Sequence, residues 1–152
     1  MWANELDVPI FMVDYRLAPK YPYPDPPNDC YQAYVWLVTH AKEQLGMDIN
    51  KFVLAGDSAG GHLVMQVPNL CMLRGFRKPD GLLCIYPSLT FDLEYFLPSS
   101  MLMCDDPILN ANIILLIKAC IVRREESGDP MTNPMMSPLI TPPEMLRLLP
   151  PT

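Results

Sequence analysis

The stretch that most constrains the fold of this 152-residue chain is a glycine-rich hexapeptide made of Gly56, Asp57, Ser58, Ala59, Gly60 and Gly61. A short run of bulky apolar residues at 52–55 precedes it and is typical of a buried strand. The residues that follow, 62–67, can continue as a helix. A strand, a tight turn and a helix are the setting in which a Gly-x-Ser-x-Gly pattern raises a serine above the edge of a sheet. The competing interpretation, an ordinary glycine-rich turn, is disfavoured by these flanking elements.

The backbone of such a turn prepares its serine for chemistry. We expect Ser58 to adopt a strained conformation, and we expect the chain at Gly56 and Gly60 to pass so close to other backbone that a Cβ would clash. The N–H of Ala59 opens the helix, has no partner within it, and can donate to a developing oxyanion. The pattern therefore predicts a nucleophilic serine with one oxyanion donor beside it.

Composition disfavours several other classes of function. Half of the residues are hydrophobic and the net charge is -6, which indicates a globular protein and gives no support to nucleic-acid binding. The five cysteines form no Cys-x-x-Cys pair, so the sequence predicts no metal site, no cofactor and a reducing, cytoplasmic location. No basic segment followed by an apolar run opens the chain, and the apolar stretch at 113–117 is too short to cross a bilayer.

Apolar runs separated by helical patterns predict an α/β fold with a parallel sheet. The predicted strands are 8–13, 52–55 and 82–86. A sheet of only these strands would leave unpaired backbone at both edges, which suggests a piece of something larger.

The helical predictions rest on apolar spacing and on capping residues. The segment at 2–6 resembles the tail of a helix, and a second helix would begin at Asn28 or Asp29 and stop at Gly46. Pro68 should kink or end the helix after the hexapeptide. The remaining predictions are a proline-rich loop at 19–27, irregular chain at 88–106, a helix from Pro107 to about Val122 capped by Asp106, a charged loop at 123–129, and a tail at 131–152 with little regular structure.

With these residues laid out, the chain resembles the hormone-sensitive lipase family of α/β-hydrolase serine esterases. The resemblance rests on four motifs in order: residues 8–19, the hexapeptide at 56–61, residues 80–87, and residues 133–139 with 149–151. It implies that Ser58 is the nucleophile and that the Ala59 N–H is an oxyanion donor in ester hydrolysis through an acyl-serine intermediate. It also implies an acyl ester or acylglycerol as substrate and is compatible with association with a lipid surface. It predicts no oligomeric state.

The chain departs from the family where the partners of the serine should be. In this fold the order along the chain is serine, acid, histidine, but His40 precedes Ser58 and His62 lies one turn along the helix that follows it. Both histidines are predicted to be structural. Asp105 and Asp106 come before the 133–139 motif and are better explained by helix capping than as the acid.

Residues 1–152 are therefore expected to form one incomplete α/β-hydrolase domain. The family's His-Gly-Gly-Gly oxyanion loop would precede them, and the acid and the histidine would follow. A second hypothesis stays open: a catalytically inactive, truncated hydrolase-like protein that keeps the serine, or that binds a lipid or a partner.

Overall fold

The computed structural model describes residues 2–91, 106–122, 129 and 132–152. In chain order its elements are α1 (Trp2–Leu6), α2 (Asp25–Leu45), β1 (Val53–Asp57), α3 (Ala59–Leu73), β2 (Gly81–Ile85), α4 (Ala111–Ile121), a short 3₁₀ helix (Pro138–Ile140) and α5 (Pro143–Leu146). The predicted α/β class is confirmed, and so are the short helix at 2–6 and the scarcity of regular structure in the described part of the tail.

The sheet consists, within the described residues, of β1 and β2 running in parallel. Val53 faces Gly81 and Asp57 faces Ile85 in the register, which confirms two of the predicted strands. Helix α3 makes the crossover between the strands and packs against both of them and against α2. Because the strands are parallel, their carboxyl ends lie at the same edge of the sheet. Ser58 directly follows β1 and therefore lies at that edge.

The core lies between α2 and α3. Tyr31 and Tyr34 of α2 meet Val67 and Cys71 of α3, and all four are buried. The ring of Tyr34 also stands edge-on to Phe52, with ring centroids 5.0 Å apart. These α2 residues are among those that the helical spacing of apolar positions marks as the buried face. This packing holds the crossover helix, and hence the hexapeptide at its start, against the sheet.

The predicted strand at 8–13 does not form. Its residues are extended but belong to no ladder, and the backbone hydrogen bond recorded there joins Val8 N–H to the Ala3 carbonyl at 3.3 Å. Apolar side chains along it are exposed, with Met12 at 93%. An apolar run can supply the side chains of a strand, but the ladder needs a neighbouring backbone, and none of the described segments lies beside this one as a strand.

Helix α2 begins earlier than predicted, at Asp25 rather than at Asn28 or Asp29. Prolines occupy its first turn, where a missing N–H costs nothing. The Asp29 carboxylate does not cap a helix; it accepts from the Arg16 backbone N–H and from the guanidinium, at 2.8–3.0 Å. Gly46 ends the helix in a left-handed conformation with φ 69°, as predicted.

Two further helix boundaries differ from the sequence expectation. Helix α3 continues through the buried Pro68 to Leu73, so of the two effects predicted for this proline the early end is wrong and the kink stays a prediction. Helix α4 begins at Ala111 with Asn110 as its cap, whose side chain accepts from the Ile113 N–H at 3.1 Å. Residues 92–105 and 123–128, which include Asp105 and most of the predicted charged loop, lie outside the described chain.

Candidate active site

Ser58 occupies the turn between the last residue of β1 and the first residue of α3. Its backbone has φ 52° and ψ -117°, a combination that costs a non-glycine residue about 1–3 kcal/mol. The N–H of Ser58 donates to the Ile85 carbonyl at 3.0 Å, which ties the turn to the end of β2. The side chain does not cap the helix it precedes, and the residue is exposed. The strained serine predicted from the sequence is thus present in the backbone.

The close backbone packing of this turn requires glycine at one of the two predicted positions, Gly56, but not at the other, Gly60. A Cβ on Gly56 would lie 2.5 Å from the backbone carbon and oxygen of Gly60, which confirms the close approach there. A Cβ on Gly60 itself would meet nothing within 4 Å among the described residues, so that expectation is wrong. The second tight position is Gly61, where a Cβ would come within 3.0 Å of the Pro87 side chain. Gly60 contributes its backbone as the surface against which Gly56 packs.

Residues 86–88 follow β2 at the edge of the sheet where the serine lies, and we call this segment the β2 wall. Tyr86 has φ 38°, and its hydroxyl donates to Asp57 Oδ2 at 3.3 Å. The negative charge of Asp57 raises the pKa of the Tyr86 phenol. Sequence reasoning gave Tyr86 no role at the site. The available signal was its position, since residues that leave neighbouring parallel strands emerge at the same edge.

Tyr15 is a second residue that the sequence analysis missed. Burial raises the pKa of its phenol, and the charges of Cys30 and Asp57 add to that effect. The charge of the carboxylate that precedes the serine thus contributes to raising the pKa of two tyrosines, Tyr15 and Tyr86, although the segment leading to Tyr15 forms no strand.

His62 lies in the first turns of α3 and is 5% exposed. Its backbone N–H donates to the Ser58 carbonyl at 3.2 Å. Ring Nδ1 is 2.5 Å from the Ser88 carbonyl oxygen, and ring Nε2 is 2.8 Å from the amide nitrogen of Gln66. Burial lowers the pKa of the ring. Both ring nitrogens are therefore occupied by groups other than the serine hydroxyl.

The other residues considered as partners of the serine also have different contacts. His40 stacks on Trp36 in α2, with ring centroids 5.7 Å apart, and its Nδ1 contacts the Thr39 hydroxyl. The Asp106 carboxylate accepts from the N–H groups of Ile108 and Leu109, so it caps a bend and not helix α4. Neither arrangement presents a base or an acid to Ser58.

Among the residues placed by the structure, no three or more His, Cys, Asp or Glu side chains are grouped to hold a metal ion. No described helix combines the length and the apolar character that crossing a bilayer requires.

Comparison with known proteins agrees with this backbone. A family model described as an alpha/beta hydrolase fold matches residues 1–152. Carboxyl esterase 2 of the fungus Tuber melanosporum superimposes with a TM-score of 0.84 at 28% identity, covering 97% of this chain and 46% of the esterase.

Two sequence relatives extend the comparison. Hormone-sensitive lipase of Mus musculus is 42% identical over 113 residues, which are 74% of this chain and 15% of the lipase. Esterase LipI of Mycobacterium tuberculosis is 36% identical over 108 residues, which are 71% of this chain and 33% of the esterase. The chain thus spans less than half the length of these relatives. Together with the turn at Ser58, these matches place the chain in the alpha/beta hydrolase family that includes hormone-sensitive lipase.

Proposed function

We propose that Ser58 is the nucleophile of a carboxylic ester hydrolase and that the backbone N–H of Ala59 donates to the oxyanion. The observation that carries this proposal is the strained, exposed serine with φ 52° and ψ -117° at the start of a crossover helix. The hydroxyl attacks the ester carbonyl, the carbonyl oxygen becomes an oxyanion, and collapse releases the alcohol and leaves an acyl-serine. Water then cleaves the acyl-serine to regenerate the hydroxyl.

The serine needs a base, and we propose that the base and the acid that orients it come from sequence outside residues 1–152. A serine hydroxyl is a weak nucleophile unless a histidine accepts its proton. The Ser88 carbonyl and Gln66 occupy the ring nitrogens of His62, and His40 stacks on Trp36. The short share of each relative that the chain spans supports the same view. We accordingly propose that the chain is one incomplete hydrolase domain.

The proposed substrate is an acyl ester, with acylglycerols included. The similar proteins are named as lipases and esterases, which supports this class. Helix α4 has no buried residue, and its side chains at Leu115, Leu116 and Ile117 are 41–65% exposed. Such an apolar surface suits an acyl chain or a lipid surface. A cytoplasmic location stays a prediction, supported by free thiols at the described cysteines.

A fluorophosphonate probe, which reacts with activated serines, tests the proposal. The probe should label a polypeptide that contains this chain together with its flanking sequence. Ser58→Ala should abolish that labelling, and Thr39→Ala, a change to an exposed hydroxyl on α2, should leave it intact. Residues 1–152 alone should not be labelled. Equal labelling of the Ser58→Ala form, or no labelling of the longer protein, would overturn the proposal and favour a binding protein that only retains the serine.

A further inference from the structure

A continuous line of hydrogen bonds crosses the buried side of α3, and we call it the His62 clamp. It consists of the Ser88 carbonyl, the His62 ring, the Gln66 side-chain amide and the Met135 carbonyl. The amide nitrogen of Gln66 contacts both His62 Nε2 and the Met135 oxygen. His62 is 5% exposed and Gln66 is 1% exposed, so the middle of the line is buried, while the end carbonyls belong to the exposed Ser88 and the half-buried Met135. It joins α3, which we call the elbow helix after the sharp turn (the elbow) at Ser58, to two segments that are 26 and 69 residues away in sequence.

The two carbonyls at the ends of the clamp determine where its protons lie. A carbonyl oxygen can only accept, so His62 Nδ1 must carry the proton that points at Ser88. The Gln66 group at the Met135 carbonyl must likewise be the NH₂ group. That same nitrogen faces His62 Nε2, which must therefore be the bare, accepting nitrogen of a neutral ring. No other tautomer satisfies both carbonyls at once.

The clamp is braced by contacts between the segments it holds. The Leu139 N–H donates to the Leu89 carbonyl at 3.0 Å, and the Phe91 N–H donates to the Ser137 hydroxyl at 3.1 Å. The Phe91 ring stands edge-on to the His62 ring, with centroids 5.0 Å apart. Segments 88–91 and 132–141 are thus fastened to each other and, through His62, to the helix that begins at Ser58.

We infer that neutral His62 is a positioning residue, which holds the β2 wall and the 132–141 segment against the elbow helix and releases the 132–141 segment when it gains a proton. The β2 wall already contacts the elbow through Tyr86 on Asp57 and Pro87 on Gly61. His62 adds the contact at Ser88. The relation to catalysis rests on the proposed role of Ser58, but the clamp and its protonation do not.

Protonation breaks the clamp because Nε2 then becomes a donor that faces another donor. Rotating the Gln66 amide would present Oε1, which is buried and has no partner among the described residues, to the new N–H. The same rotation would turn the NH₂ group away from Met135. If the amide keeps its orientation, the His62–Gln66 bond is lost and two donors face each other. If it rotates, the bond to His62 is restored and the bond to the Met135 carbonyl is lost, and this rotation is the step that releases the 132–141 segment.

The groups that contact the His62 ring in the described chain are all uncharged. They are the Ser88 carbonyl, the Gln66 amide and the Phe91 ring, and no charged group of the described chain is among the causes that shift the pKa of His62. Burial lowers that pKa below its ordinary value of 6.5. The unfolded chain then binds the proton more readily, so the folded chain loses stability as the pH falls below that value.

Nuclear magnetic resonance of the isotope-labelled protein tests the inference directly, because the chain has only two histidines. A long-range proton–nitrogen correlation spectrum should show His62 protonated at Nδ1 and bare at Nε2 at neutral pH. The titration midpoint of His62 should fall below 6.5, the ordinary value for a histidine. The amide of Leu139 should lose protection from hydrogen exchange as His62 titrates, by roughly three- to tenfold for one hydrogen bond. Amides of α2 should show no such step.

Two variants distinguish the loss of the His62 clamp from a general loss of protein stability. Gln66→Met keeps the length of the side chain but replaces the amide by an apolar group. It should lower Leu139 protection at neutral pH and should remove its pH step. Gln66→Glu should raise the His62 midpoint by placing a carboxylate at Nε2, and it provides a second reading if the first variant does not fold. His40→Gln is the matched control and should change neither readout. A proton on Nε2 of neutral His62, or a Leu139 amide indifferent to His62 titration, would overturn the inference whether or not Ser58 hydrolyses esters.

Discussion

Replacing Gly56 by alanine should destabilise the protein more than the same change at either neighbouring glycine. The new Cβ would lie 2.5 Å from the backbone carbon and oxygen of Gly60 and 2.9 Å from the Gly61 nitrogen. Carbon atoms in favourable contact are about 3.5–4.0 Å apart, so the overlap is about an ångström. The contacted atoms belong to the first turn of α3 and cannot rotate away. Overpacking costs about 1–3 kcal/mol, and we expect about 3 kcal/mol or more here.

The neighbouring glycines supply a graded control. Gly60→Ala has open space and should be neutral or stabilise by up to about 1 kcal/mol, because alanine restricts the unfolded chain. Gly61→Ala should fall between, since its Cβ would meet the Pro87 side chain at 3.0 Å and the Gly56 carbonyl at 3.1 Å. Urea unfolding followed by tryptophan fluorescence measures all three. A midpoint for Gly56→Ala equal to that of Gly60→Ala would refute the steric argument.

Two further predictions concern contacts that lie away from the serine. Tyr34→Phe should lower the free energy of unfolding by about 1 kcal/mol, because it removes the hydrogen bond from the phenol to the Arg77 carbonyl at 3.0 Å. A midpoint unchanged in denaturant would contradict it. The Arg16 guanidinium beside Asp29 holds the pKa of that carboxyl below its usual 3.8, so the contact stabilises the fold above that pH and is lost as the pH falls through the lowered value. Asp29→Asn and Arg16→Gln should each flatten the acid limb of the stability profile, as circular dichroism at a series of pH values would show, and an unchanged limb would argue against the pairing.

Local patterns predicted the elements that depend on neighbours in sequence. The apolar runs gave β1 and β2, the spacing of apolar residues gave the buried face of α2, and Gly46 gave its end. The start of α2 was wrong because Asp29 was read as a cap. Its carboxylate is instead paired with Arg16, 13 residues earlier in the chain. Capping and ion pairing compete for the same oxygen atoms, and only the fold decides which donor is closer.

The strand predicted at 8–13 shows the same limit in another form. Alternation and apolar content indicate what a segment can bury, but a strand exists only when a second backbone lies beside it. The prediction at Gly60 failed for a related reason. Which glycine needs its missing Cβ depends on how the turn folds over itself, and the structure assigns the close contacts to Gly56 and Gly61.

The sequence by itself determined the turn at Ser58. The glycines, the strand before them and the helix after them are all within a few residues of Ser58. The backbone strain at Ser58 therefore follows from steric contacts between neighbours in sequence. Only the tertiary structure decided what surrounds that turn. The contact of Tyr86 with Asp57 spans 29 residues, and that of Gln66 with Met135 spans 69. The partner of His62 Nδ1 is 26 residues away in sequence, so the protonation state of His62 is a property of the folded chain.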